Sequence, residues 1–104
     1  MFNFEVGICV HTQQEIDEIF KLITKAYPEA KAIKTNSYCE IKLPMIRISF
    51  LLSGRAIGYR FDRIYYSDDA SVEEQNEILL PMTLATRASS MRPISFLYKE
   101  FLRS

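Results

Sequence analysis

The chain contains few of the residues that mark specialised classes of protein. Its 104 residues include three glycines, four prolines, two cysteines, one histidine and no tryptophan. So little glycine and proline excludes a collagen-like or low-complexity chain, and two cysteines cannot build a disulfide framework. No apolar run approaches the roughly 20 residues of a membrane span. Because Met1-Phe2-Asn3 opens no signal-like segment, we expect a cytoplasmic protein with no membrane contact.

Neither basic nor acidic residues are in excess. Thirteen of each cancel to a formal charge of zero, which disfavours both a dedicated binder of the phosphate backbone and an acidic mimic of DNA. The rest of the composition is ordinary, with 48% hydrophobic and 25% charged residues. The length suits one domain over residues 1–104.

The first third of the chain predicts a strand followed by a helix. Residues 4–11 have no strongly polar face, which is typical of an interior strand covered on both sides. Thr12 and Glu15 then form a capping box. A single apolar stripe follows at helical spacing, and Pro28 ends it. The stripe consists of Ile16, Ile19, Phe20, Ile23 and Tyr27.

The remainder alternates further strand and helix signals. Residues 33–43, 45–52 and 61–66 predict strands, with a turn or an edge at Pro44. A second capping box, Ser71 to Glu74, opens a helix that Pro81 kinks or ends. Its expected inward side chains are Val72, Leu79 and Met82. A last helix is expected to begin at Pro93. Together these signals predict a single α/β or α+β domain with a sheet of about four strands and about three helices.

The region from residue 46 to residue 87 resembles the Walker B neighbourhood of phage terminase large subunits and of helicase ATPases of the RecA-like class. The resemblance rests on an apolar strand, a loop with Gly54-Arg55 and Gly58, the strand Arg63–Tyr66 and the acidic pair Asp68-Asp69. It implies a phage origin, and with it a location in the cytosol of a host cell. It also implies that Asp68 would hold Mg²⁺, while Asp69 stands where those ATPases usually have Glu.

A phosphate-binding loop is missing from this pattern. The sequence contains no G-x-x-x-x-G-K-[ST], so nothing would cradle the β- and γ-phosphates of a nucleotide. We therefore expect no cofactor beyond the Mg²⁺ that the resemblance implies, and no NTP hydrolysis by the chain alone. Residues 67–71 are also typical of an ordinary strand-to-helix connection, in which turn formers and acidic residues favour the helix start.

Arginine and tyrosine residues concentrate just before and within the strand that precedes this pair. Both residue types are favoured at the centres of protein interfaces, and the glycines of the loop let the backbone present them. We therefore expect a partner-binding surface there. Its residues are Arg55, Tyr59, Arg60, Arg63, Tyr65 and Tyr66.

Three functions follow from these features. The first is a non-catalytic interaction protein that docks on a phage packaging or replication component, or on a host defence complex such as a CRISPR effector, and modulates it. The second is a small accessory protein that binds nucleic acid through the arginine loop and a basic C-terminal helix. The third is a metal-dependent phosphodiester enzyme using Asp62, Asp68, Asp69 and Glu73. A homodimer is compatible with each of them.

Overall fold

A mixed β-sheet organises the chain. The computed structural model describes residues 4–35, 39–52, 61–83 and 91–100, and within these ranges the fold is α+β with six strands and three helices. The strands are β1 (Phe4–Val10), β2 (Lys31–Lys34), β3 (Cys39–Leu43), β4 (Ile46–Leu52), β5 (Arg63–Tyr66) and β6 (Met91–Pro93). Their order across the sheet is β2-β3-β4-β1-β5-β6.

The first strand of the sequence lies in the middle of the sheet. β1 pairs in parallel with β4 on one side and with β5 on the other, and β5 pairs in parallel with β6. β2 and β3 extend the sheet beyond β4 through antiparallel pairs. The central position explains why β1 is apolar on both faces, since helices can cover a parallel strand from either side.

The predicted class is confirmed, whereas the predicted number of strands is wrong. The segment expected to form one strand over residues 33–43 instead spans the end of β2 and the whole of β3, which lie antiparallel to each other. β6 has no sequence signal: a three-residue strand ending in proline shows neither alternation nor β-branched residues. The segment that was expected to start a helix at Pro93 therefore completes the sheet, and the helix begins two residues later.

Helix α1 (Gln13–Ala26) covers one face of the sheet, called here the first face. The Thr12 side chain caps it by accepting from the Glu15 backbone N–H at 3.2 Å, as predicted. The apolar stripe is confirmed as the packing surface. Buried on this face are Ile16, Ile19 and Ile23 of α1, together with Val6, Ile8, Val10 and the Leu97 side chain of α3 (Ser95–Glu100).

A helix of changing pitch covers the opposite, second face. α2 (Val72–Glu74) starts at Ser71, whose hydroxyl accepts from the Glu74 N–H at 3.1 Å. It continues as a π-helical turn over Gln75–Leu79 and then a 3₁₀ turn over Leu80–Met82. Pro81 lies in this last turn, where it has no N–H to continue an α-helical ladder. Leu79 is buried with Cys9 and Ile64, as predicted. Val72 is 71% exposed, so the prediction for its side chain is wrong, and the Met82 side chain lies outside the described part.

No helix in the described ranges is long and apolar enough to cross a membrane.

The turn between β3 and β4 holds a non-glycine residue in the left-handed region. Leu43 pairs with Ile46 across a two-residue turn of Pro44 and Met45, and Met45 has φ of 69°. A proline followed by a residue of positive φ is the pattern of a type II turn, which favours glycine second. A side chain in this region costs about 1–2 kcal/mol.

Met45→Gly is therefore expected to stabilise the fold. The predicted gain in the free energy of unfolding is about 0.5–1 kcal/mol, because the added flexibility of the unfolded chain offsets part of the relieved strain. Urea unfolding measures it. Met45→Ala serves as the control, since it removes the same exposed side chain and keeps the strained φ; an equal gain in both variants would contradict the turn as the cause.

Candidate functional site

The carboxyl ends of β1 and β5 form the natural place for a site in this fold. The two strands are adjacent and parallel, yet the chain leaves β1 for α1 on the first face and leaves β5 for α2 on the second face. In open α/β sheets, a crevice opens where neighbouring strands send their helices to opposite faces, and ligands bind there. We call this region the carboxyl edge. It comprises the residues that follow β1 and β5 and the first turns of α1 and α2.

A histidine and two carboxylates meet at the carboxyl edge. His11 follows β1, and its Nε2 lies 2.8 Å from Oε1 and 3.0 Å from Oε2 of Glu74 in the first turn of α2. Its Nδ1 lies 3.3 Å from Oδ1 of Asp69. The ring therefore joins the end of the central strand to the start of α2. Ser71 fixes the position of Glu74, because the same residue that caps the helix sets the direction of its first turn.

A second group of polar side chains links the start of α1 to the end of β5. Ser67 is buried, and its hydroxyl donates to Oε2 of Glu15 at 2.9 Å. The hydroxyl of Thr12 donates to Oε1 of the same carboxylate at 3.2 Å. The capping residue Glu15 thus also holds the β5 end, which satisfies a buried hydroxyl.

The predicted metal ligands are engaged separately. Oδ1 of Asp68 accepts from the Ser95 backbone N–H at the start of α3, at 3.3 Å, whereas Asp69 pairs with His11. Among the described residues, no group of three histidine, cysteine, aspartate or glutamate side chains could hold a metal ion. Both aspartates therefore make contacts within the strand-to-helix connection and with neighbouring elements. This agrees with the alternative prediction that residues 67–71 form an ordinary connection of this kind.

The carboxyl edge raises the pKa of His11. The main cause is the hydrogen bond to Glu74; burial opposes it, and the charges of Glu74, Asp69 and Glu15 add to it. Nearby, burial is the main cause that raises the pKa of the Cys9 thiol to about 12. Cys9 therefore stays protonated at neutral pH and is a core residue rather than a nucleophile.

Stability is expected to fall as pH rises through neutrality. The folded chain binds the His11 proton more tightly than the unfolded chain, so the contribution is complete below about pH 6.5, the ordinary histidine value, and disappears above the raised pKa. Unfolding by denaturant at a series of pH values measures it. His11→Gln should flatten this part of the profile, and Glu74→Gln should flatten it more than Asp69→Asn. An unchanged slope in His11→Gln would show that another group is responsible.

The predicted partner-binding residues are only partly described by the structure. Arg55, Tyr59 and Arg60 lie outside the described residues. Arg63 is half-buried beside Val6 in the register of β5 and β1. Tyr66 is half-buried against the cluster of the second face.

Tyr65 requires a correction. Its side chain is 1% exposed and belongs to the core of the first face, so it cannot contact a partner while the chain is folded. The alternation of a short strand places successive side chains on opposite faces, and here helices cover both faces of β5.

An exposed strand at one end of the sheet was only partly recognised by sequence reasoning, since the strand predicted over residues 33–43 includes its last two residues and not its first two. All four residues of β2 are exposed, and Ile33 is 42% exposed. We call this strand the β2 edge. Lys34 anchors it to α1 through an ion pair with Asp17, Nζ to Oδ1 2.6 Å, and lies over the Phe20 ring. The same contact lowers the pKa of Asp17. The only available signal was the Lys-Ala-Ile-Lys run itself, which is too short to separate from a loop.

Charged side chains form a row that crosses four strands on the second face. Lys31 of β2 lies opposite Lys42 of β3, which lies opposite Arg47 of β4. Arg47 donates to both carboxylate oxygens of Glu5 on β1, each at 2.8 Å. The row therefore has an acidic end at β1 and a basic end at the β2 edge.

A buried carboxylate stands beside this row. Glu40 of β3 is 2% exposed, and its oxygens lie 3.5 Å from Lys42 Nζ and 3.8 Å from Arg47 Nε. Glu40 therefore contacts the two inner cations of the row, Lys42 and Arg47, and Glu5 contacts Arg47 as well.

No protein-family model matches the chain, and comparisons with curated proteins and with solved structures find no significant match.

Proposed function

We propose that this protein acts by docking on another protein and does not itself catalyse a reaction. The observation that carries this proposal is the β2 edge, where all four residues of the last strand on that side of the described sheet are exposed. An edge strand offers backbone donors and acceptors to another chain, and strand addition is a recurring mode of protein recognition. Nucleic acid would instead favour a continuous basic surface.

The chemistry of the carboxyl edge supports the same proposal. His11, Glu15, Asp68 and Asp69 each contact a group of this chain, and the contacts join β1, β5 and the helix starts to one another. These polar groups therefore have a structural task. The resemblance to phage ATPases gives the reason to search first among phage packaging and replication components and host defence complexes such as CRISPR effectors.

The test begins with crosslinking of the tagged full-length chain in lysate and continues with each identified protein in purified form. Titration at low and high salt should give a complex whose Kd rises far less than that of a nucleic-acid complex, because apolar and backbone contacts are weakly screened. Two results would overturn the proposal. One is binding of oligonucleotides alone, with affinity falling log-linearly as salt rises. The other is hydrolysis of ATP or GTP with Mg²⁺ that disappears in Asp68→Asn.

A further inference from the structure

We propose that the β2 edge accepts an extended acidic segment of a partner protein as an additional strand. This inference rests on the proposed docking function and assigns it a surface and a class of partner. Within the described part of the chain, β2 is the last strand on its side of the sheet and pairs with β3 alone. Alternate residues of an antiparallel edge strand direct their N–H and C=O groups outward. Two of the four residues of β2 are therefore oriented to bind an incoming backbone.

Charge selects the partner. Lys31 is the outer end of the row in which Lys42 and Arg47 follow on the next two strands. The carboxylates of Glu5 and Glu40 contact Arg47 and Lys42, whereas Lys31 faces the like charge of Lys42 across the strand pair. Cross-strand neighbours of opposite charge stabilise a sheet and like charges destabilise it. An added strand therefore gains most from an acidic residue beside Lys31.

The next β2 side chain on the same face, Ile33, favours an apolar residue at the neighbouring position of the added strand. Ile33 lies two residues after Lys31, so both side chains stand on the second face, and Ile33 is large and substantially exposed. An apolar side chain of the added strand would cover it. The recognised segment is thus extended, with an acidic residue and an apolar residue two positions apart on one face.

A second copy of this chain does not fit the same edge. Pairing of β2 with itself would add the Lys31 charge of a second copy to an edge where Lys31 and Lys42 already lie side by side. Edge lysines commonly prevent such self-pairing. The same lysines that exclude a second copy favour an acidic strand.

The probe is a synthetic blocked peptide in which glutamate and valine alternate on one face and threonine occupies the other. A matched peptide carries lysine in place of glutamate. Fluorescence anisotropy with the full-length chain should show roughly fivefold to tenfold tighter binding of the acidic peptide. Lys31→Glu should reverse this preference. Lys99→Glu, which changes the net charge equally on α3, should preserve it.

Hydrogen exchange then locates the peptide. Slower exchange of backbone amides within residues 31–34 supports strand addition, whereas protection confined to other elements overturns it. Equal affinity for both peptides, or a dimer of the chain alone that Lys31→Glu alters, also overturns it. If the purified protein partner still binds Lys31→Glu with unchanged Kd, the β2 edge is not the docking surface and the proposed docking function stands.

Discussion

Replacing Gly7 by alanine is expected to lower the free energy of unfolding by about 2–3 kcal/mol, the upper part of the range for an overpacked core. Gly7 lies on the central strand, and a Cβ atom there would stand 2.6 Å from both Cδ2 and Cε2 of the Phe61 ring. Phe61 is itself buried and forms a backbone bridge with Thr83. The ring therefore has little room to move away. Chemical denaturation of the two proteins measures the loss.

The partner residue provides the control for Gly7. Phe61→Leu shortens the side chain that the new methyl group would meet, at its own cost in buried apolar surface. In that background, Gly7→Ala should cost clearly less than in the wild-type chain, and the difference is the coupling between the two positions. An identical cost in both backgrounds would show that the methyl group meets something other than the Phe61 ring.

Ile19→Asp is expected to unfold the protein. Ile19 is 4% exposed at the centre of the α1 stripe and lies in the core of the first face. An unpaired carboxylate buried there costs several kcal/mol, which is comparable with the whole stability of a domain of this size. Circular dichroism should show lost helix and no cooperative melting.

The same helix supplies a matched variant. Leu22→Asp makes the same chemical change three residues later, at a side chain that is 43% exposed. It should fold and melt cooperatively, because surface substitutions usually change stability by less than about 0.5 kcal/mol. A cooperatively melting Ile19→Asp protein would contradict the packing of α1 on the sheet.

Local signals predicted the parts of this fold that local interactions determine. The caps at Thr12 and Ser71 and the inward stripe of α1 depend on residues three or four positions apart. Such short-range patterns can be read directly from the sequence. The predictions for β2 and β6 were incomplete or absent, because each of these strands is defined by its pairing with the neighbouring strand rather than by a pattern of its own. The prediction of an inward Val72 side chain was wrong for a related reason. The first turn of a helix can project beyond the sheet that the later turns cover.

The contacts at the candidate sites were less predictable than the fold. His11 and Glu74 are 63 residues apart in sequence, and nothing near either residue indicates the other. Asp68 and Asp69 were recognised as neighbours of a strand end, but their contacts with Ser95 and His11 depend on β6 and β1. The burial of Glu40 also depends on tertiary structure, because alternation with the apolar residues Cys39 and Ile41 would by itself place this carboxylate on an exposed face.

The central position of β1 has a consequence for the order of folding. Glu5 on this strand contacts Arg47, 42 residues later, and the backbone N–H of Glu5 bonds to Asp62, 57 residues later. Contacts of such long sequence separation slow folding, since the loop must close before they form. During synthesis, β1 emerges first and both of its neighbours emerge much later. The apolar central strand of the nascent chain therefore stays unpaired until β4 has followed it, and its second neighbour, β5, comes later still.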